Sequence, residues 1–523
     1  MALPRASRRQ RPTTCGIHES GTAPTRCRGC STVTEHGTIA FSSRTGRLLL
    51  TVTILASGMG FLDSTVVNVA LPKIESELGG GLATIQWVLD SYALTLGALV
   101  LVGGALGDAL GRKRVFLWGV SGFAATSVLC GIAPTAGTLI AARALQGVAA
   151  AMMIPGSLAL ISALFRSEDR GRAIGAWSGL AGLVTVLGPV IGGLLVDSGE
   201  GGWRWAFLIN LPIAVLVLLL ARTIPTPDKP ELRLRTLRRV DFTGAVLTTL
   251  ALLLIVTPLI EYQRLPLALV LILVMAGLVV FLVFWVVEAR RERGGTIAPM
   301  MPPSLWRIRS FSMANIITLF VYGALGAVLL LFVIGFQIGL GWSALAAGAA
   351  GLPITLILAA FSARVGALLP RVGSRNLLTL GAGLVGLGAF VLAWVPSGAS
   401  YWLNVLPGIL VFGAGLVFMV APITTTALGD IPVKSSGIGS GVNNSVARIA
   451  GLIAVALVPL TAGLTHVDAN AGAAVLPGYR RGMLICAVLM WVGGLLSWFG
   501  FDAAVGRVGE GDQEPSPDVE PGR

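Results

Sequence analysis

The sequence predicts an all-α polytopic membrane protein with 14 transmembrane helices, arranged as two six-helix bundles and an inserted helix pair. Three observations predict it. Hydrophobic residues make up 54% of the 523 residues and charged residues only 12%, about half the charged share of a soluble domain. Apolar runs near the roughly 20 residues needed to cross a bilayer recur along most of the chain. A short basic loop also recurs: GALGDALGR at 104–112 returns in degenerate form as GALLPRVGSR at 366–375, with Pro370 where Asp108 stands. Each copy joins the second and third apolar runs of a set of six, so the two sets read as a duplication.

Residues 1–46 are polar and arginine-bearing, with no apolar run of signal-peptide type, and are expected to form a disordered cytoplasmic tail. Spans are expected at about 48–72, 84–106, 115–133, 137–163, 173–196 and 203–222, forming a first bundle over 47–222. A linker over 223–309 carries two inserted spans at about 242–260 and 265–287, which lack internal charge and are expected to be peripheral to transport. The second bundle, 310–503, follows with spans at about 310–337, 343–366, 376–395, 401–428, 436–464 and 482–503, and then a cytoplasmic tail over 504–523.

The formal charge of +13 lies in clusters between the spans, which is a pattern of membrane orientation rather than of nucleic-acid binding. One set of loops holds Arg112, Lys113, Arg114, Arg166, Arg170, Arg172, the 222–239 segment and Arg290, Arg291 and Arg293. The opposite loops hold Lys73, Arg204, Arg264, Arg480 and Arg481. By the positive-inside rule both termini are cytoplasmic, in a multi-pass protein of the cell (inner) membrane.

The fifth span, RAIGAWSGLAGLVTVLGPVIGGLLV at 172–196, is crowded with glycine. Gly188 and Gly192 stand four apart on one helix face, where another backbone can approach. Pro189 donates no amide hydrogen and crowds the carbonyl of Thr185, so a bend is expected there. A helix needs neither feature to sit in lipid, and a packing that switches is expected.

Several stretches together resemble the major facilitator superfamily, in particular its fourteen-span drug:proton antiporter branch. GGALGDALGRKR at 103–114 resembles the superfamily's loop motif through Gly104, Asp108, Gly111, Arg112 and Arg114. LDSTVVNVALP at 62–72, ARALQGVAAA at 142–151, WRWAFLINLP at 203–212 and SGIGSGVNNSVARIAG at 436–451 resemble segments of the branch. The fifth span is similar to the antiporter motif at Gly175, Gly188, Pro189, Gly192 and Gly193, and departs from it where Val184 replaces a glycine. The resemblance implies a major facilitator fold and proton-coupled export of lipophilic drugs, antibiotics or related amphiphiles by alternating access. It also implies that the 104–114 loop is a cytoplasmic gate.

Three ionisable residues, Asp63, Asp90 and Arg143, fall inside the first four spans. Charges there normally face a cavity or a partner. At about 1.5 Å per residue all three fall in the outer half of the membrane, close enough in depth to share one cavity. Asp63 and Arg143 are expected to form a pair that proton or substrate binding disrupts, with Asp90 as a further proton site or a residue in outer-mouth water beside Trp87. Gln146 and Gly147 lie on the face of Arg143. Between 310 and 500 the only acids are Asp430 and Asp468, both in loops, and Arg448 is the clear charge within a late span. Proton coupling therefore rests on the first bundle. Substrate contacts are expected from Trp87, Gln146, Tyr322, Gln337, Asn443 and Asn444, a set suited to bulky amphiphiles rather than sugars.

Other classes fit poorly. GAGLVG at 381–386 imitates a dinucleotide-binding turn but lies in an apolar run with no preceding strand. There is no Walker A sequence, and the histidines are His18, His36 and His466, none within a span. Cys15, Cys27 and Cys30 in the first tail fit no standard zinc spacing. Neither cofactor, metal nor enzymatic activity is expected. The expected partners are a small lipophilic substrate, protons and the bilayer, the protein acting as a monomer. A proton-coupled importer or facilitator of a small metabolite, and a non-transporting receptor, are the alternatives.

Overall fold

The computed structural model describes residues 39–226, 241–294, 297, 299–431, 436–464 and 471–501. The expected tails, with Cys15, Cys27, Cys30, His18 and His36, lie outside the described residues, as do His466 and Asp468. The described residues are helical apart from turns and one isolated bridge, Ile39 to Phe165.

The first bundle comprises α1 (Arg44–Leu78), α2 (Gly81–Leu110), α3 (Arg112–Gly131), α4 (Ala136–Leu164), α5 (Ser167–Val196) and α6 (Asn210–Ala221). The inserted pair is α7 (Phe242–Ile260) and α8 (Leu267–Gly294). The second bundle comprises α9 (Arg309–Val333), α10 (Leu352–Gly366), α11 (Ser374–Leu392), α12 (Leu406–Gly429), α13 (Ser436–Ala462) and α14 (Leu476–Gly500), with a short helix, Ala344–Ala350, before α10. Among the described residues, 13 helical segments are long and apolar enough to cross a membrane, against the fourteen expected. The difference falls at α5, a continuous helix of 30 residues whose described apolar part is Leu187–Val196.

Two boundaries move. Residues 39–43, expected in the first tail, are tied to the α4–α5 junction. The Ile39 amide donates to the Leu164 carbonyl at 3.1 Å and the Phe41 amide to Asp169 Oδ2 at 2.9 Å. Ser43 then caps α1 by accepting from the Gly46 amide at 3.0 Å. At its other end α1 runs to Leu78, beyond the expected limit of 72. Glu77 holds that extension by accepting from Trp203 Nε1 at 2.7 Å and from the Gly201 amide at 3.0 Å.

The duplication reappears in the packing. Helix α1 packs on α5 and α6, α2 on α4, and α3 on α4 and α6. In the second bundle α9 packs on α13 and α14, α10 on α12, and α11 on α12 and α14, the same pattern eight positions later in helix order. The repeated loop explains one shared detail. Gly111 and Gly373, equivalent in the two copies, precede α3 and α11 with φ of 100° and 83°, where a side chain would be strained.

The bundles meet along two pseudo-equivalent seams, α2 with α13 and α5 with α10 and the Ala344–Ala350 helix. Of the inserted pair, α8 leaves its apolar residues Leu267, Ile272 and Leu282 exposed. Helix α7 instead packs on both α2 and α13. There Leu252, Val256 and Ile260 form one cluster with Leu94 of α2 and Leu452 and Ala456 of α13.

Candidate functional site

The polar centre of the first bundle is built by a close approach of α2 and α4. A Cβ on Gly147 would stand 2.4 Å from the Tyr92 carbonyl oxygen, so only glycine lets α4 lie this close to α2. Thr95 Oγ1 donates across the contact to the Ala144 carbonyl at 2.8 Å. Arg143, one turn before Gly147, therefore points into the bundle. Its Nε donates to the Val88 carbonyl at 3.0 Å, its guanidinium lies over the Tyr92 ring at 4.3 Å, and its Nη1 donates to Asp63 Oδ2 at 2.5 Å. Both charged side chains are essentially inaccessible, at 1% and 0%.

Asp63 also accepts from a second residue of α4 and from α6. Gln146 Nε2 donates to its Oδ1 at 2.9 Å and to Ser127 Oγ at 2.9 Å. Asn210 Nδ2 of α6 donates to the same Oδ1 at 3.3 Å. Gln146 Oε1 accepts from Arg143 Nη1 at 2.7 Å, and Cys130 Sγ points at it from 3.7 Å. The carboxylate thus collects donors from α4 and α6, with α3 supplying the bridging hydroxyl. Removing either charge of such a buried pair leaves the other uncompensated, which costs about 3–5 kcal/mol. Ser127 and Asn210 escaped the sequence reading. A lone hydroxyl or amide in an apolar run has no spacing signal, although Asn210 stands out as the one amide in WRWAFLINLP.

Asp90 is not part of this centre. At about 100° per residue it points roughly opposite to Val88 and Tyr92, toward α13. Gln86, one turn earlier on the same face, donates to the Val455 carbonyl at 2.7 Å. Asp90 is buried and its Oδ2 has no hydrogen-bond partner, so it does not sit in outer-mouth water. Trp87 is directed elsewhere: its Nε1 donates to Glu261 Oε1 at 2.9 Å, in the α7–α8 loop.

The expected substrate-path residues of the second bundle divide. Asn443 is buried and donates to Asn315 Oδ1 and Thr318 Oγ1, each at 3.1 Å, tying α13 to α9. Asn444 is exposed and Tyr322 is part-buried beside the α9–α13 contact. Gln337, in the π-helical turn Ile334–Gly339, donates across the bundles to the Val69 carbonyl at 3.0 Å.

That bond belongs to a seal at the end carrying the α1–α2 and α5–α6 loops. Helix α5 is continuous through Pro189, and its glycines are used differently. Cβ atoms on Gly188 and Gly192 would meet Thr65 Oγ1 at 1.9 Å and Val66 Cα at 3.0 Å, both on α1. One on Gly193 would stand 2.4 Å from Leu345 Cα of the other bundle, and one on Gly348 would stand 2.3 Å from the Pro189 carbonyl oxygen. Asp197, just past α5, accepts from the amides of Ala344 and Leu345 at 3.2 and 2.9 Å. At the opposite end Gly104, Gly175 and Gly366 have open space where a Cβ would stand. There Asp108, which is 63% exposed, pairs among the described residues with Arg112 Nε of its own loop at 3.0 Å. Arg114 is exposed.

Two repeated helical bundles facing one another across paired seams, tied together at the end carrying the α1–α2 and α5–α6 loops, define a two-bundle membrane transport scaffold. The family model described as Major Facilitator Superfamily matches residues 53–455, and the chain belongs to that superfamily. It is 36% identical over 415 residues to the probable actinorhodin transporter of Streptomyces coelicolor, covering 78% of this chain and 71% of that protein. It is 33% identical over 469 residues to puromycin resistance protein pur8 of Streptomyces alboniger, covering 85% and 90%. It is 34% identical over 414 residues to multidrug resistance protein Stp of Mycobacterium tuberculosis, covering 78% and 74%. A crystal structure of a D-xylose-proton symporter superimposes with a TM-score of 0.63 at 14% identity, covering 88% of this chain and 99% of that one, a likeness of fold. The protein is a multi-pass membrane transporter and not an enzyme.

Proposed function

We propose that the protein is a proton-coupled exporter of lipophilic drugs, antibiotics or related amphiphiles, working by alternating access in the cell membrane. The observation that carries this reading is the fully buried Asp63–Arg143 pair, set in a chain whose relatives are named as transporters and resistance proteins. The basic loops favour an orientation with both termini in the cytoplasm. In that orientation the end sealed by Gly193, Gly348, Asp197 and Gln337 faces outward.

In this reading a proton arriving at Asp63 cancels the charge that Arg143 holds. Arg143 remains tied to α2 through Val88 and Tyr92, so the change passes from α1 to the helix that forms one seam. The seal made by Gly193, Gly348, Asp197 and Gln337 must part for release outside. Asp108, Arg112 and Arg114 serve as the inner gate and re-pair when that end closes. One charge crossing 100 mV yields about 2.3 kcal/mol and one pH unit about 1.36 kcal/mol, enough together for a drug gradient of several hundredfold.

The test uses the purified protein in liposomes under an imposed proton gradient. Internal pH is followed as lipophilic dyes and antibiotics are added. Substrate-triggered proton movement is expected in the native protein and is expected to be lost in Asp63→Asn. Substrate movement that ignores the gradient, with no proton flux, would make the protein a facilitator and end the antiport reading.

A further inference from the structure

Arg448 stands near the middle of α13, twelve residues from its start. In the second bundle the other described arginines, Arg309, Arg364, Arg371, Arg375, Arg480 and Arg481, lie at helix ends or in short turns. Arginine keeps its proton in proteins and presents five N–H donors, so a guanidinium at this depth normally has a partner. This one has none among the described residues. Its Nε is without a hydrogen bond, and no carboxylate pairs with it.

The geometry places its stem between the bundles. A Cβ on Gly97 of α2 would stand 3.5 Å from Arg448 Cβ and 3.8 Å from its Cδ, so the stem lies along α2 where that helix has no side chain. Arg448 is half-buried and its stem lies on the α2 side of α13, so the side chain is directed at the other bundle rather than at lipid. Nearby acids do not supply the missing charge. Asp63 is engaged by Arg143, and Asp90, on the α13-facing side of α2, makes no ion pair with Arg448 among the described residues. The described spans of the second bundle contain no acid.

We infer that Arg448 is an anion-recognising residue of the substrate path, and that the compounds moved carry a carboxylate on an otherwise apolar frame. This rests on the export reading and narrows its substrate class. The carboxylate of the cargo supplies the counter-charge that the protein withholds. A planar guanidinium suits it because it can donate two parallel bonds to a carboxylate.

Binding selectivity, read without any proton gradient, tests the inference. Pyrenebutyrate and its methyl ester share one apolar frame and differ in charge. Each is titrated against the protein in nanodiscs by energy transfer from tryptophan, with empty discs subtracted. The acid is expected to bind more tightly than the ester, by about ten- to hundredfold for a charge-assisted pair. Arg448→Gln is expected to remove that preference by weakening the acid and sparing the ester, while Arg448→Lys keeps most of it. Equal affinities in the native protein would overturn the inference. So would a loss in Arg448→Gln that falls equally on acid and ester, the mark of a structural role. Acid preference without proton-coupled flux would sink the export reading and leave the anion site standing; the reverse outcome would do the opposite.

Discussion

The two bundles share a packing pattern and differ in what they bury at its centre. In the first, Asp63, Arg143, Gln146, Ser127 and Asn210 form one network with a full ion pair. In the second, Asn443 joins Asn315 and Thr318 in a small neutral cluster, and the one deep charge, Arg448, is left unpaired. Duplication preserved the frame, down to the positive φ of Gly111 and Gly373, while the chemistry was divided. A protein that must couple two events gains from keeping them apart. On the reading above, the proton acts where charge is already balanced, and the cargo binds where it is not.

Breaking the pair should have the largest effect. Arg143→Met leaves Asp63 buried with no counter-charge and should destabilise the protein by about 3–5 kcal/mol, read by denaturant unfolding in micelles. Adding Asp63→Asn should recover part of that loss; strictly additive losses would mean that the two side chains do not depend on one another. The corresponding change in the second bundle should be milder. Asn443→Ala removes two neutral hydrogen bonds and should cost about 1–3 kcal/mol, with proton flux still triggered by substrate. Abolished coupling in a folded Asn443→Ala protein would erase the division of labour.

The inserted pair offers the smallest expected effect, and a control, because its charges lie outside both cores. Asp241 caps α7 by accepting from the Gly244 amide at 2.6 Å and pairs with Arg291, which also reaches Glu288 at 3.5 Å. Burial pushes the Asp241 carboxyl up, but hydrogen bonding with Glu288, Gly244 and Arg291 outweighs it and holds the group below the ordinary carboxylate range. A depressed folded value contributes stability that is complete above the unfolded value of about 3.9 and fades as pH falls through the folded one. Asp241→Ala should therefore cost about 0.5–2 kcal/mol at neutral pH, and the gap to the native protein should close in strong acid. A gap independent of pH would show that the carboxylate's charge is not what matters there.

Much of this was legible in the sequence, for identifiable reasons. Asp63 and Arg143 stood out because ionisable residues in apolar runs demand partners, and Gln146 followed from helical spacing. The close approach at Gly188 and Gly192 followed from their shared face. Other features depend on the direction in which a helix faces, which composition does not encode. Asp90 lies at a similar expected depth but points at α13, and Gly193 touches the opposite bundle while Gly175 meets open space. Trp87 finds Glu261 174 positions away, a pairing created only when α7 settles on the α2–α13 seam. That is also why the inserted pair could not be placed from its lack of charge.

The position of α7 has a consequence for how the molecule sits among its neighbours. Internal duplication alone would make the protein look alike from two opposite directions in the membrane plane. With α7 and α8 laid over one seam, that equivalence is gone. On one flank lipid meets the apolar wall of α8. On the other it meets the junction of α5 and α10 directly, where Leu187, Leu194, Leu356 and Phe361 are exposed. The protein has a front and a back, and oily molecules dissolved in the surrounding leaflets meet two different faces.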